Sequence, residues 1–357
     1  MATIALARGW PAPECLPPAD VMADCARTVL ERDARTILSY GPSTGYGPLR
    51  EWIAERHGVA PRRVFLTNGS LQGFVFLAQM LAPGRRVLVE RPTYDRPLKI
   101  LSELGADVVP LACDDDGLDP DALERALADG EPPAFAYLLP TFQNPSGRTL
   151  PVERRQRVAE LAQEHGLLVL EDDPYGLVRF EGEHLPLIFD LSGGTTAYSS
   201  SFSKTVAPGL RVGWFVLPEA TAAQLEATAT ATYITPVQLG QATIFELIAR
   251  GLFEPNVERV SDLLRARRDS MVEALDRELP GVKHSTPEGG YFLWAELGEG
   301  IDAADVQVRA EQAGVTFVKG ADFGGPPESL RLAYSFVSPE EVAEGIARLA
   351  SAVPVAA

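Results

Sequence analysis

Lysine is nearly missing from this chain: of 32 basic residues only Lys99, Lys204, Lys283 and Lys319 are lysine, and the rest are arginine. Cysteine is scarce too. Cys15, Cys25 and Cys113 are odd in number and irregularly spaced, and no CxxC occurs. That argues against a disulfide scaffold and against a metal site, and it fits a reducing cytoplasm. No run approaches the roughly 18 uninterrupted apolar residues of a membrane span. The start, "MATIALARGWPAPE", lacks the long apolar region of a secretory signal. Positive charge is also short. A formal net charge of −17 would repel a phosphate backbone, so no nucleic-acid partner is expected. The local basic cluster "RARRDS" (265–270) sits among acids on a helical stretch and reads as a solvated face. What remains is an ordinary globular composition, 46% hydrophobic and 23% charged, and 357 residues are enough for two domains.

The middle of the chain alternates apolar runs with amphipathic stretches. Residues 86–90, 107–111, 134–140, 166–173 and 211–217 read as buried strands, and residues 96–105, 119–130 and 151–166 show helical spacing. The last of these opens on Pro151 and closes on Gly166, as helices prefer. This alternation predicts an α/β fold with a mostly parallel sheet covered on both faces, and ligands at the carboxyl ends of its strands. After about residue 255 the pattern changes to a long helix (256–279), a strand (289–297), and further helices and strands, which read as a smaller α+β unit. The expected division is therefore an amino-terminal arm (1–40) that goes with the small domain, a large domain (41–255) and the small domain itself (256–357).

Four segments carry chemistry. In "LTNGSLQG" (66–73) a glycine turn leads from a strand into a helix, whose free N–H groups and dipole can cradle a phosphate, though a glycine-serine start is also an ordinary cap. "PTFQNPSG" (140–147) holds Asn144 extended before a proline at a strand end, or is simply an Asn-Pro turn. "LEDDPYG" (170–176) ends an apolar strand on three acids; alternation separates Asp172 from Glu171 and Asp173 without saying which faces a site. "SSSFSKTVAPGLR" (199–211) places Lys204 among the hydroxyls of Ser200, Ser201 and Ser203, with Arg211 seven residues on. A lysine kept in a chain that otherwise uses arginine is a candidate imine-forming amine, and Arg211 with the serines suits a phosphate dianion. Amine, phosphate cradle, acid and hydrogen-bond donor are together what pyridoxal 5′-phosphate requires.

In this order and spacing, "SYGPSTGYGPLREWIA", "TNGSLQG", "NPSG", "EDDPYG" and "SSSFSKTVAPGLRVGW" resemble the fold-type I, class I/II pyridoxal-phosphate aminotransferases, and most nearly the 2-aminoadipate and kynurenine branch. The resemblance spans nearly the whole chain. It implies the fold-type I architecture, with a large domain and a smaller α+β domain, and pyridoxal phosphate as cofactor. It implies that Lys204 forms the Schiff base and shuttles the proton, that Asp172 pairs with the pyridinium nitrogen, and that Asn144 and Tyr175 donate to the ring hydroxyl. Tyr94 would stack on the ring. Ser70, the backbone of Leu71, Ser201, Ser203 and Arg211 would form the phosphate cup, with Tyr40 reaching the phosphate of a second subunit in a homodimer. Arg331 would clamp the substrate α-carboxylate, for which a planar guanidinium is suited. The implied substrates are an amino acid and a 2-oxo acid, 2-oxoglutarate by family analogy, in a ping-pong cycle.

Three positions depart from the pattern. Leu71 stands where glutamine is common, Lys319 where proline is usual, and Trp10 is bulky for an arm that borders the side-chain pocket. Trp10 either restricts substrate size or packs the arm. The same scaffold also serves decarboxylases, lyases and oxidases, since the reaction depends on which Cα bond lies perpendicular to the ring. It further forms the sensor domain of some bacterial regulators. The resemblance begins close to Met1 and the chain is acidic, so no preceding DNA-binding module is expected.

Overall fold

The computed structural model describes residues 2–354. Its larger sheet has eight strands, in the order Val64–Thr67, Gly213–Val216, Ala197–Ser201, Val169–Asp172, Phe135–Leu138, Arg86–Arg91, Asp107–Asp114 and Gly117–Leu118. Five of them, from Ala197–Ser201 to Asp107–Asp114, run parallel, as their apolar sequences and intervening helices require. The connection after Ala197–Ser201 is too short to hold a crossover helix, so Gly213–Val216 returns antiparallel beside it. That return places Lys204 and Arg211 on one turn.

Helices Asp95–Glu103, Pro120–Ala128 and Val152–His165 fall where periodicity predicts. Asp119 caps the second by accepting from the Asp121 N–H at 3.0 Å. Gly166 ends the third in the left-handed conformation, with φ 60°. One helix, Glu219–Tyr233, has no legible apolar stripe, because alanine and threonine alternate along it. It stands nonetheless, with the Thr230 and Thr232 hydroxyls donating to the carbonyls of Glu226 and Thr228 at 2.8 and 2.7 Å.

A second, antiparallel sheet orders Lys283–His284, Phe292–Glu296, Ser329–Ala333 and Val318–Lys319. Helices Phe253–Glu278, Ala303–Gln312 and Pro339–Ala352 accompany it, and Ser338 with Glu341 forms a capping box for the last. The first forty residues, expected as an arm of the small domain, pack in two places. Ile4–Ala5 pairs with Val315–Thr316, and Leu6, Ala12 and Cys15 join the small unit's core. Ala19–Ile37 is a helix whose Cys25, Val29 and Ile37 are buried with Leu49 and Leu247 in the large unit. A helix-compatible spacing of Cys25 and Val29 is present in the sequence, but the prolines before it mask the change.

Candidate functional site

The carboxyl ends of the parallel strands open into two adjoining cavities of about 250 and 740 Å³. Trp10, Tyr94, Asn144, Tyr175 and Lys204 line both. The smaller is bounded further by Ser70, Leu71, Asp172, Ser201, Ser203 and Arg211, and the larger by Arg331. Every residue to which the resemblance assigns a cofactor or substrate role thus borders this cleft except Tyr40, whereas Ser200 and Lys319, also singled out in the sequence, line neither cavity. The Tyr40 ring lies outside both cavities and is 81% exposed.

Of the three acids ending Val169–Asp172, alternation turns only Asp172 to the cleft. Its Oδ1 accepts from Ser199 Oγ at 2.6 Å and its Oδ2 from the Tyr137 hydroxyl at 2.7 Å. Burial pushes its pKa up, while these two hydrogen bonds pull it down. Glu171 faces away, accepting from the Phe189 N–H at 2.9 Å beside Arg155. Asp173 accepts from the Gly176 N–H at 2.7 Å and from the Tyr198 hydroxyl at 3.1 Å. Tyr137 and Ser199 carried no signal in the sequence beyond lying on strands adjacent to Val169–Asp172.

Lys204 Nζ reaches the Gly9 carbonyl at 3.4 Å and lies 5.0 Å from the Tyr291 ring centre and 5.6 Å from that of Tyr175. Burial, then the positive charges of Arg331 and Arg211, lower its pKa to about 8. A larger neutral fraction near neutral pH is what an amine nucleophile needs. Nearby, burial raises Tyr94 to about 12 and moves Tyr175 further in the same direction, so both keep their phenolic protons.

At the other end, helix Ser70–Leu81 begins without a side-chain cap: the Gln72 N–H turns back to the Gly69 carbonyl at 3.1 Å, while Ser70 and Leu71 border the cleft. Gly69 precedes it at φ 89°, and a Cβ there would collide with the Arg211 guanidinium. A Cβ at Gly213 would strike the Ser70 nitrogen. Gly69 is demanded by its positive φ, and Gly213 by close approach to the backbone. Arg211 is itself left-handed, with φ 53°. Its Nη1 and Nη2 donate to the carbonyls of Pro208 and Asn68 at 3.1 and 3.2 Å, and among the described residues it forms no ion pair. Ser201 Oγ donates to Ser203 Oγ at 2.8 Å, whereas Ser200 turns away to the Asp173 carbonyl at 2.7 Å.

Arg331 is 8% exposed. Its Nη1 donates to Asn144 Oδ1 at 2.8 Å and its Nη2 to the Ala7 carbonyl at 3.1 Å, while the buried Nε has no partner. The guanidinium lies 4.2 and 4.7 Å from the ring centres of Phe292 and Phe323. Burial lowers its pKa to about 10, and among the described residues no carboxylate pairs with it. Leu71 lines the cleft, Lys319 pairs with Asp322 at 3.6 Å, and Trp10 is 61% exposed at the mouth.

The family described as aminotransferase class I and II matches residues 13–349. A 2-aminoadipate transaminase of Thermus thermophilus is 38% identical, over 98% of this chain and 90% of the relative. An aromatic-amino-acid aminotransferase of Thermococcus litoralis is 34% identical, over 98% and 88%. Among solved structures, the α-aminoadipate aminotransferase of Thermus thermophilus, complexed with N-(5′-phosphopyridoxyl)-L-leucine, superposes with a TM-score of 0.93. It is 35% identical, over 98% of this chain and 92% of that one. The chain belongs to the class I and II aminotransferase family.

Proposed function

We propose that the cleft around Lys204 is where this aminotransferase binds pyridoxal 5′-phosphate and exchanges amino groups between an amino acid and a 2-oxo acid. The observation that carries the reading is the charge arrangement. Among the described residues, Lys204, Arg211 and Arg331 are three cations without carboxylate partners, facing one cleft, with Asp172 held ionisable at its floor. The residues present fit the cofactor. The uncapped helix start, the glycines at 69 and 213 that keep Arg211 close to it, and the paired hydroxyls of Ser201 and Ser203 make a cup for a phosphate dianion. When bound, pyridoxal phosphate supplies an aldehyde to accept the amino group and a conjugated ring to take up the electron pair released at the substrate Cα.

The chain's own residues do the rest. Ser70, the Leu71 N–H, Ser201, Ser203 and Arg211 hold the phosphate. Asp172 would meet the protonated ring nitrogen, Asn144 and Tyr175 would donate to the ring oxygen, and Tyr94 would cover one face. Arg331 grips the substrate α-carboxylate with its planar fork, and retention of that carboxylate favours transamination over decarboxylation. Lys204 Nζ is the amine that would hold the cofactor's aldehyde carbon, and it is the base that would take up and return the proton at the substrate Cα. Trp10 bounds the side-chain end of the pocket, and 2-oxoglutarate is the acceptor we assign.

The working unit is a homodimer. Leu38, Tyr40, Ile234 and Val237 are exposed apolar side chains, and the Thr235 hydroxyl reaches the Pro42 carbonyl at 3.5 Å, so their segments adjoin. From that face Tyr40 would complete the partner's phosphate cup. The three cysteines are free, which accords with a cytoplasmic setting. The large unit (41–255) carries the cofactor site and the small unit (256–357) brings Arg331 to it. The test is a half-reaction: an α-amino acid added alone bleaches the visible band of the bound cofactor, and Lys204→Ala lacks that band from the start. A band retained intact in Lys204→Ala overturns the role of this lysine.

A further inference from the structure

The proposed reading leaves one cation of the cleft without work. Residues 7–9 run along the larger cavity, and the carbonyls on either side of Arg8 are both occupied: Ala7 accepts from Arg331 and Gly9 from Lys204. Arg8 lies between them, and its own guanidinium makes no hydrogen bond or ion pair among the described residues. It is nevertheless not free to wander. Its Cζ stands 4.8 Å from the Trp10 ring centre and 4.5 Å from that of Phe336, the geometry of a cation between two aromatic faces. Stacking leaves a guanidinium's edge, with its N–H donors, open to an oxyanion.

Charge bookkeeping around the 740 Å³ cavity points the same way. Its two acids each have a base of their own, Asp95 with Arg96 and Asp322 with Lys319, both at 3.6 Å. The cations left over are Lys204, Arg331 and Arg8. A substrate with a single carboxylate on Arg331 leaves Arg8 unmatched; a substrate with a second, distal carboxylate matches it.

We infer that Arg8, held by Trp10 and Phe336, is a specificity-determining residue that selects amino and oxo acids bearing an acidic side chain. The inference rests on the reading of the cleft given above. It also gives Trp10 a function distinct from a size limit: the indole is the platform that keeps Arg8 at the mouth.

The test compares two donors of equal carbon count, L-glutamate and L-norvaline, by single-turnover conversion of the full-length holoenzyme. A charge-assisted contact is worth enough that Arg8→Gln lowers the glutamate-to-norvaline ratio of kcat/KM by about tenfold or more. Trp10→Ala lowers the ratio in the same direction and Trp10→Phe restores it. Binding gives a readout independent of turnover: in calorimetry, Arg8→Gln weakens glutarate by a similar factor relative to butyrate. A ratio within about twofold of the parent, with norvaline still converted, overturns the role of Arg8 and leaves the aminotransferase reading standing. Failure of the parent protein to convert any amino acid overturns both.

Discussion

Replacing Arg331 by glutamine should move stability and substrate binding in opposite directions. The guanidinium is buried, and among the described residues no carboxylate pairs with it and its Nε has no acceptor. Its pKa, lowered by burial to about 10, corresponds to about 3 kcal/mol spent on keeping the charge in place. A base whose folded pKa lies below its unfolded value imposes that cost fully at pH values below the folded pKa. The cost fades only as pH rises past it, so it is present in full at neutral pH. Against it stand the hydrogen bonds to Asn144 and Ala7, about 1 kcal/mol each, one of which a glutamine amide can keep. The balance favours Arg331→Gln by about 1–2 kcal/mol in the absence of substrate. Binding changes the other way: losing a bidentate, charge-assisted carboxylate contact costs about 2–4 kcal/mol, or roughly 30- to 1,000-fold in kcat/KM. Urea unfolding of the cofactor-loaded protein, with and without a non-reacting carboxylate such as butyrate, reads both effects. The parent should gain stability from butyrate and the variant should not. A variant less stable than the parent by about 2 kcal/mol, or one that keeps its dependence on amino acid concentration, would refute the argument.

In the apoprotein, Lys204 should react with an amine-acylating reagent half-maximally near pH 8, and Arg331→Gln should move that midpoint upward by removing a neighbouring positive charge; an unmoved midpoint contradicts the coupling. Asp172→Asn keeps a group of the same shape on Ser199 and Tyr137 but removes the charge, and should weaken cofactor binding or turnover by about tenfold to a hundredfold, measured by dialysis against cofactor and by initial rates. Glu90 is buried, accepts from the Leu139 N–H at 2.7 Å, and has its pKa pushed up to about 7 by burial. Its favourable contribution is therefore present below the ordinary carboxylate range and lost as pH rises through about 7. Glu90→Gln should remove that slope, adding up to about 3 kcal/mol at pH 8 and little at pH 4, as followed by chemical unfolding across pH. Gly69→Ala must strain a backbone at φ 89° and displace Arg211, so cofactor release after dilution should quicken while the parent's stays slow.

Much of the site was legible because its chemistry lies in short local segments. Lys204 and Arg211 share one turn, Asp172 ends a strand whose alternation separates it from its neighbours, and Ser70 opens a helix after a glycine. The residues that escaped notice act across the chain. Tyr137 and Ser199 reach Asp172 from adjacent strands, which only sheet order reveals. Phe292 and Phe323 flank Arg331, and its carbonyl partner, Ala7, is 324 positions away in the sequence. Backbone acceptors leave no trace in residue identity, so the grip of the Ala7 and Gly9 carbonyls on Arg331 and Lys204 could not be read from side-chain types. Helix Ala19–Ile37 was hidden for a different reason: its buried face is sparse and follows a proline-rich start.

Trp10 differs from the other three tryptophans in its surroundings. Trp214 and Trp294 are buried and Trp52 is packed against Phe253, whereas the Trp10 indole stands in water at the mouth of the cleft, under the Arg8 guanidinium. Solvent polarity governs indole emission, so occupancy of the cleft should register as a change in colour and intensity from this one side chain. The protein thus carries a built-in optical gauge, and a version in which Trp52, Trp214 and Trp294 are replaced by phenylalanine would let titrations be followed without any added label.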